Sequence, residues 1–116
     1  MHEMSYMLRL VSLAQQTARE QQIDTIKTMV VEVGGMTGVL PYYLHKYFPT
    51  AVKGTLLEGA TLEIIEIPVR TRCEDCATEY EPDKGNGYCC PHCGSKNGTV
   101  IAGRDVTLSK IIGGSL

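Results

Sequence analysis

The sequence predicts an α+β fold that is interrupted by a cysteine-rich insertion. Three observations lead to this prediction: two segments with helical periodicity, three β-branched segments, and four paired cysteines between the second and third of those strands. With 116 residues, the chain is long enough for one compact domain, or for one small domain with a module that a metal ion holds together.

The first predicted element is an amphipathic helix over residues 4 to about 21. Apolar side chains recur there at helical spacing, whereas Arg9 and Arg19 lie largely off the apolar stripe. The stripe consists of Met4, Met7, Leu8, Val11, Ala14 and Ala18. We interpret its methionines as core side chains, because Met packs well into irregular gaps.

A strand over residues 28–33 and a second helix from about Leu40 to Val52 follow. The strand is β-branched and ends at a pair of glycines, and Pro41 favours the first turn of the helix. The predicted apolar face of that helix is Leu40, Tyr43, Leu44, Tyr47 and Phe48. Pro49 lies inside this pattern, so we expect a break or a kink there.

Two more predicted strands, residues 60–67 and 105–112, flank the insertion. Pro68 ends the first of them, and Val106 and Leu108 share one face of the second. If these strands belong to one sheet, the insertion projects outward from it. The expected units are therefore residues 1–68 together with 104–116, and a module over residues 69–103.

The composition argues against several classes of protein: nucleic-acid-binding, secreted and membrane-spanning proteins. The net charge is −2, with no Trp and one Phe, which argues against nucleic-acid binding through phosphates or stacked bases. Glu3 and Arg9 interrupt any signal-peptide pattern, and no apolar run approaches the length of a membrane span. We expect a cytoplasmic protein with reduced thiols, so its cysteines are candidate metal ligands before they are candidate disulfides.

The strongest motif is a pair of knuckles, Cys73-x2-Cys76 and Cys90-x2-Cys93, separated by 13 residues. Two such turns facing each other form a tetrahedral cage of four thiolates, which suits Zn(II). A cage with four protein ligands leaves no open coordination position, so we expect the zinc to be structural. Metal binding would then supply the folding energy that so small a module lacks.

Alternatives remain at this motif. Iron is the rival metal, because rubredoxin-like sites use the same knuckle, although we expect none of the aromatic packing that a redox iron needs. A redox dithiol is a further alternative. Such a motif normally starts a helix in a βαβ unit, and this one does not. Cys89 adjoins Cys90, so either thiol can fill the third position, and Cys90 preserves the two-residue spacing to Cys93. His92 can also replace a thiolate.

The N-terminus is a candidate chelator. The α-amine of Met1, the amide and imidazole Nδ1 of His2, and the amide of Glu3 can form a planar set of four nitrogens. Square-planar nitrogen coordination is typical of Ni(II) or Cu(II). A bulky second residue also favours retention of the initiator Met. The alternative is an early histidine without a metal role.

Together, these features closely resemble the HypA/HybF family over essentially the whole chain. The resemblance rests on the opening Met1-His2-Glu3, the paired CxxC knuckles, Gly54-Thr55, and Glu58-Gly59-Ala60-x-Leu62 before a strand. It implies a nickel metallochaperone for [NiFe]-hydrogenase maturation, which is not an enzyme. It also implies two helices packed on a small three-stranded sheet, with a zinc-ribbon-like module inserted before the last strand.

The resemblance further implies site residues and partners. His2 would be the essential nickel ligand, with nitrogens of Met1 and Glu3, and the transferred ion would be Ni(II). Structural Zn(II) would be held by Cys73, Cys76, Cys90 and Cys93. The implied partners are the GTPase HypB and the hydrogenase large subunit, with urease served in some bacteria, no nucleic acid and no membrane; the chain could be a monomer or a homodimer.

Two features depart from the family pattern. Cys89 is a fifth thiol, and Met36 to Pro41 contains no acidic or histidine side chain that could join a nickel site. The alternative function is a zinc-ribbon adaptor that binds protein or nucleic acid. The charges of the module nearly cancel, which favours a scaffold or protein-docking role over nucleic-acid binding. A catalytic metalloenzyme is a weaker alternative, because no three-ligand open site occurs among the motifs.

Overall fold

The computed structural model describes residues 3–113, which form two α-helices and two three-stranded sheets. The helices are α1 (Glu3–Glu20) and α2 (Pro41–Ala51). The strands are β1 (Ile26–Gly34), β2 (Thr61–Ile67), β3 (Arg70–Cys73), β4 (Glu79–Tyr80), β5 (Gly98–Ala102) and β6 (Val106–Gly113). Short 3-10 turns cover Gly35–Thr37 and Lys84–Asn86.

The first sheet has the strand order β2-β1-β6, with β1 parallel to β2 and antiparallel to β6. The chain reaches β2 from β1 through α2, the crossover that a parallel pair requires. Alternate residues of β1, such as Met29, Val31 and Val33, enter the same buried core as residues of both helices. The prediction of two helices on a three-stranded sheet is therefore confirmed.

Helix α1 begins and ends within about one residue of its predicted bounds, but one member of its apolar stripe is wrong. Leu8 is 52% exposed, whereas Leu10, which the stripe omitted, is buried. The buried residues of α1 are Glu3, Met7, Leu10, Val11, Ala14 and Ala18. Leu10 lies three residues after Met7 and four before Ala14, so it completes the same helical face.

Helix α2 corrects two expectations about its residues. It continues through Pro49 to Ala51, so the expected break is absent. Pro49 lies in the last turn, so the helix ends soon after the residue that cannot donate a backbone hydrogen bond. Its buried residues are Leu44, Phe48 and Ala51. Leu40 and Tyr43, which the sequence placed on the apolar face, are exposed.

The insertion forms its own sheet, with the strand order β4-β3-β5. Its base is pinned to the first sheet by backbone contacts: Gly34 donates to the carbonyl of Asp105 at 2.9 Å, and Met36 donates to that of Gly103 at 2.9 Å. Gly103 has a φ of +84°, and a Cβ there would lie 2.7 Å from the carbonyl oxygen of Pro68. A residue without a side chain is thus required where the two halves of the molecule meet.

The predicted strands 60–67 and 105–112 are confirmed as β2 and β6, and the strand predicted at 28–33 is the larger part of β1. The second sheet was not predicted, because its strands contain only four, two and five residues. Neither described helix combines the length and the hydropathy needed to cross a bilayer.

Candidate metal centre

The four knuckle cysteines are brought together at the far end of the inserted sheet. Cys73 is the last residue of β3, Cys76 follows in the next turn, and Cys90 and Cys93 occupy a second turn before β5. Each Sγ lies within 4.8 Å of the other three. Cys73 and Cys90 are buried, whereas Cys93 is exposed.

The two knuckles have the same backbone geometry. The residue after each second cysteine, Ala77 or Gly94, has a positive φ of 65° or 76°. Each donates its N–H to the carbonyl of the first cysteine of its knuckle, at 2.9 Å to Cys73 and 2.8 Å to Cys90. The first cysteines in turn donate their own N–H to the carbonyls of Thr78 and Ser95, both at 2.9 Å. This shared turn directs both thiols of each pair to the same side.

The sulfur spacing fits a four-coordinate metal. The Sγ atoms of Cys73 and Cys93 are 3.5 Å apart, and those of Cys76 and Cys90 are 3.6 Å apart. A tetrahedral cage with Zn–S bonds of about 2.3 Å requires sulfur–sulfur separations of about 3.8 Å. Soft thiolate donors in this arrangement select zinc or iron among the common metals. The cluster is consistent with structural zinc.

Two of the four thiols, Cys76 and Cys93, have pKa values shifted in opposite directions. The hydroxyl and backbone of Thr78 hydrogen-bond to Cys76 and lower the pKa of that thiol to about 6. The backbone of Ser95 acts to lower the pKa of Cys93, but contacts with Cys73 and the other thiols, together with the partial loss of water around its sulfur, raise it to about 12. The raised pKa of Cys93 disfavours its thiolate form in the absence of a metal, and a bound divalent cation favours that form.

A tyrosine side chain packs against the cysteine cluster, and the sequence analysis did not identify it. Tyr80, the last residue of β4, is buried and packs with Cys73 and Cys90. Burial, and then the charge of the neighbouring Cys90 and Cys73 thiols, raise the pKa of the Tyr80 phenol. The expectation that no aromatic group packs at this site is wrong, and a two-residue strand left no pattern from which to infer Tyr80.

The fifth thiol lies outside the described cluster. The Sγ of Cys89 is 3.6 Å from the carbonyl oxygen of Gly87, and the four-sulfur group contains Cys90 instead. His92 is exposed and is not part of that group. The geometry thus favours Cys90 at the third position, as the two-residue spacing indicated.

Met1 and His2, two of the three residues suggested for nickel, lie outside the described residues. Glu3 is the first residue of α1, where backbone N–H groups have no intrahelical partner. Its side chain is only 6% exposed, and its carboxylate Oε2 accepts the N–H of Leu40 at 3.5 Å. The carboxylate therefore points into the protein. The amide nitrogen of Glu3 lies at the N-terminal end of α1, where its N–H has no intrahelical acceptor.

Comparisons with known proteins agree with this geometry. A family model described as "Hydrogenase/urease nickel incorporation, metallochaperone, hypA" matches residues 1–112. A hydrogenase maturation factor HypA of Moorella thermoacetica is 39% identical over 105 residues, which cover 90% of this chain and 92% of the relative. That of Aquifex aeolicus is 38% identical over 112 residues, covering 96% of each chain.

A relative named HybF and a solved structure extend the likeness. The hydrogenase maturation factor HybF of Klebsiella pneumoniae is 33% identical over 113 residues, covering 97% of this chain and 99% of the relative. The solution structure of the Ni metallochaperone HypA from Helicobacter pylori superposes with a TM-score of 0.75 at 26% identity, covering 97% of each chain. The similarity therefore covers both the part formed by the two helices and the first sheet and the cysteine module.

Proposed function

Because the chain belongs to the HypA family, whose members incorporate nickel into hydrogenase and urease, we propose that it binds Ni(II) through Met1, His2 and Glu3. The chain is a nickel metallochaperone and not an enzyme. Its task is to bind nickel and then release it to an acceptor. The family match does not support the alternative function, a zinc-ribbon adaptor.

The proposed nickel ligands are the amine of Met1, the amide and imidazole of His2, and the amide of Glu3. The observation that carries this assignment is the position of Glu3 at the first turn of α1, because its amide is not needed for an intrahelical hydrogen bond. Its carboxylate is occupied by Leu40, so we assign only the backbone nitrogen of Glu3 to the metal. A planar set of four nitrogens suits Ni(II).

The cysteine module has a separate role. We propose that residues 69–103 form a zinc module held by Cys73, Cys76, Cys90 and Cys93, and that residues 1–68 with 104–116 form the nickel-binding domain. A site with four protein ligands has no open position, so the zinc would stay while nickel is transferred.

A metallochaperone in hydrogenase maturation requires partners that supply or accept the ion. We infer that these are the GTPase HypB and the large subunit of a [NiFe] hydrogenase, and that the protein works in the cytoplasm. Urease could be a further recipient, in keeping with the family description.

Nickel titration of the untagged protein tests the assignment. We expect His2→Ala to abolish the planar Ni(II) absorption while zinc content and circular dichroism stay unchanged. His45→Ala is the matched control, because His45 is an exposed histidine of α2. Wild-type nickel affinity in His2→Ala, or an equal loss in His45→Ala, would contradict the proposal.

A further inference from the structure

The outer side of α2 carries aromatic side chains that the core does not use. Leu44 and Phe48 face the core, whereas Tyr42 is 68% exposed and Leu40 is 52% exposed. We call this surface the aromatic face. It consists of Leu40, Tyr42, Tyr43, Lys46 and Tyr47. Exposed aromatic groups clustered in this way are typical of protein–protein interfaces.

The members of the aromatic face support one another. The rings of Tyr42 and Tyr43 meet edge to face with centroids 5.2 Å apart, and those of Tyr43 and Tyr47 are stacked at 6.4 Å. The Nζ of Lys46 lies 5.9 Å from the Tyr43 ring and 6.0 Å from the Tyr47 ring. These contacts restrict the side chains before a partner arrives, which reduces the entropy lost on binding.

The charge around this face is one-sided. Residues 33–57 contain no Asp or Glu, although the whole chain has 13 of them and a net charge of −2. The cations of this segment are Lys46 and Lys53. The Glu3 carboxylate, which approaches the segment at Leu40, is buried and already accepts a hydrogen bond. The exposed carboxylate of Glu58 contacts this segment at Gly54, next to Lys53 and beyond the end of α2. Among the described residues Lys46 forms no ion pair within 4 Å, so an acidic partner would meet its positive charge.

The aromatic face also adjoins the proposed nickel site. Leu40 donates its backbone N–H to Glu3, and Glu3 directly follows His2 in the chain. The Tyr43 N–H donates to the carbonyl of Leu40 at 3.1 Å, so the face begins at that same point. A protein docked on it would lie beside Glu3, the first described residue, whose backbone nitrogen is one of the proposed nickel ligands.

We propose that the aromatic face binds an acidic segment of the protein that receives nickel, an inference that rests on the proposed function. Tyrosine hydroxyls and the Lys46 ammonium donate hydrogen bonds to carboxylates, and the tyrosine rings bury apolar area at a low entropic cost. Single-stranded nucleic acid fits less well, because it needs a groove with several cations, and this face has one lysine.

The test measures binding of purified, metal-free hydrogenase large subunit to the full-length, untagged, zinc-loaded protein. Tyr42→Ala and Lys46→Glu should each weaken binding at least tenfold. Lys110→Glu on β6 is the charge-matched control, because this exposed lysine lies outside α2, and it should bind within twofold of wild type. Equal affinity of all four proteins, an equal loss in the control, or no binding by wild type would overturn the proposal.

Nickel titration of the same variants separates this inference from the proposed function. Unchanged nickel affinity with lost docking supports the aromatic face as a partner site. Loss of nickel affinity in Tyr42→Ala or Lys46→Glu would instead assign these residues to the metal site and overturn the docking proposal. If only His2→Ala loses nickel binding, the nickel site and the aromatic face are separate, and the docking measurement alone decides the proposal.

A photo-crosslinking amino acid in place of Tyr42 identifies what the face contacts. We expect mass spectrometry to find the crosslink on a large-subunit segment rich in Asp and Glu. A crosslinked segment that lacks acidic residues would overturn the charge argument. Tighter binding of a single-stranded oligouridine than of the large subunit would overturn the choice of a protein partner.

Discussion

The carboxylate of Glu3 accepts the backbone N–H of Leu40 at 3.5 Å, although 37 residues separate them in the chain. Leu40 is the N-cap residue of α2, and its side chain has no oxygen with which to cap that helix. The start of α1 therefore supplies a carboxylate to the start of α2. The same contact anchors the backbone next to His2.

Replacing Glu3 with Gln should lower stability without weakening nickel binding. Gln keeps an acceptor oxygen but removes the negative charge that favours a helix N-terminus, a loss of about 0.3–1 kcal/mol. Urea unfolding measures the stability, and nickel titration measures the affinity, which should stay within twofold of wild type. Glu20→Gln is the control at the exposed end of α1 and should change stability by less than about 0.5 kcal/mol. A large fall in nickel affinity for Glu3→Gln would show that the carboxylate binds the ion.

Removing zinc with a chelator should unfold the cysteine module and leave the helical half folded. The main hydrophobic core draws no residue from 69–103, whereas the module core consists mainly of cysteines and Tyr80. We expect methyl NMR signals of Met29 and Leu44 to persist while module amide signals collapse to unfolded positions. Zinc addition should restore them. Loss of both sets of signals together would contradict the division into two units.

The two knuckles predict opposite effects of exchanging alanine and glycine. Ala77 has a φ of 65°, so Ala77→Gly should relieve strain and stabilise the zinc-bound module by about 0.5–1 kcal/mol after the entropy of Gly is subtracted. Gly94→Ala introduces the same strain and should cost about 1 kcal/mol. The chelator concentration that removes half of the zinc gives both changes. A shift of the same sign in both variants would contradict the shared turn geometry.

The elements that sequence reasoning found are those with long, regular patterns. Repeated apolar spacing predicted α1, and β-branched residues predicted most of β1, β2 and β6. The start of β1 at Ile26 was missed because the exposed Lys27 interrupts the apolar run. Leu8 was placed in the core because periodicity alone does not distinguish it from Leu10, and only the packing of the helix against its neighbours decides.

What could not be predicted depends on contacts between distant parts of the chain. The cysteine spacing was sufficient to indicate a four-sulfur cage, and two-residue spacing favoured Cys90 over Cys89. Tyr80, in a two-residue strand, gave no periodic signal. The contact of Glu3 with Leu40 joins residues 37 apart, and no local pattern encodes it. The exposure of Tyr43 likewise followed from how α2 packs, not from its composition.

Adding residues before Met1 should weaken nickel binding even when His2 is retained. An extension such as Gly-Ser converts the α-amine of Met1 into an amide, which removes one proposed nitrogen donor and shifts the position of the histidine in the chelate. Nickel titration should show a loss of at least tenfold and a changed absorption band. The same two residues added after Leu116 should have no effect. If the N-terminal extension leaves affinity and spectrum unchanged, Met1 is not a ligand.

X-ray absorption at the nickel and zinc edges of untagged protein, loaded with one ion of each metal, tests the central claim most directly. We predict nickel surrounded by nitrogen donors in a planar arrangement, including the imidazole of His2, and zinc surrounded by four sulfurs at about 2.3 Å. Sulfur scattering around nickel, with no imidazole contribution, would contradict the claim.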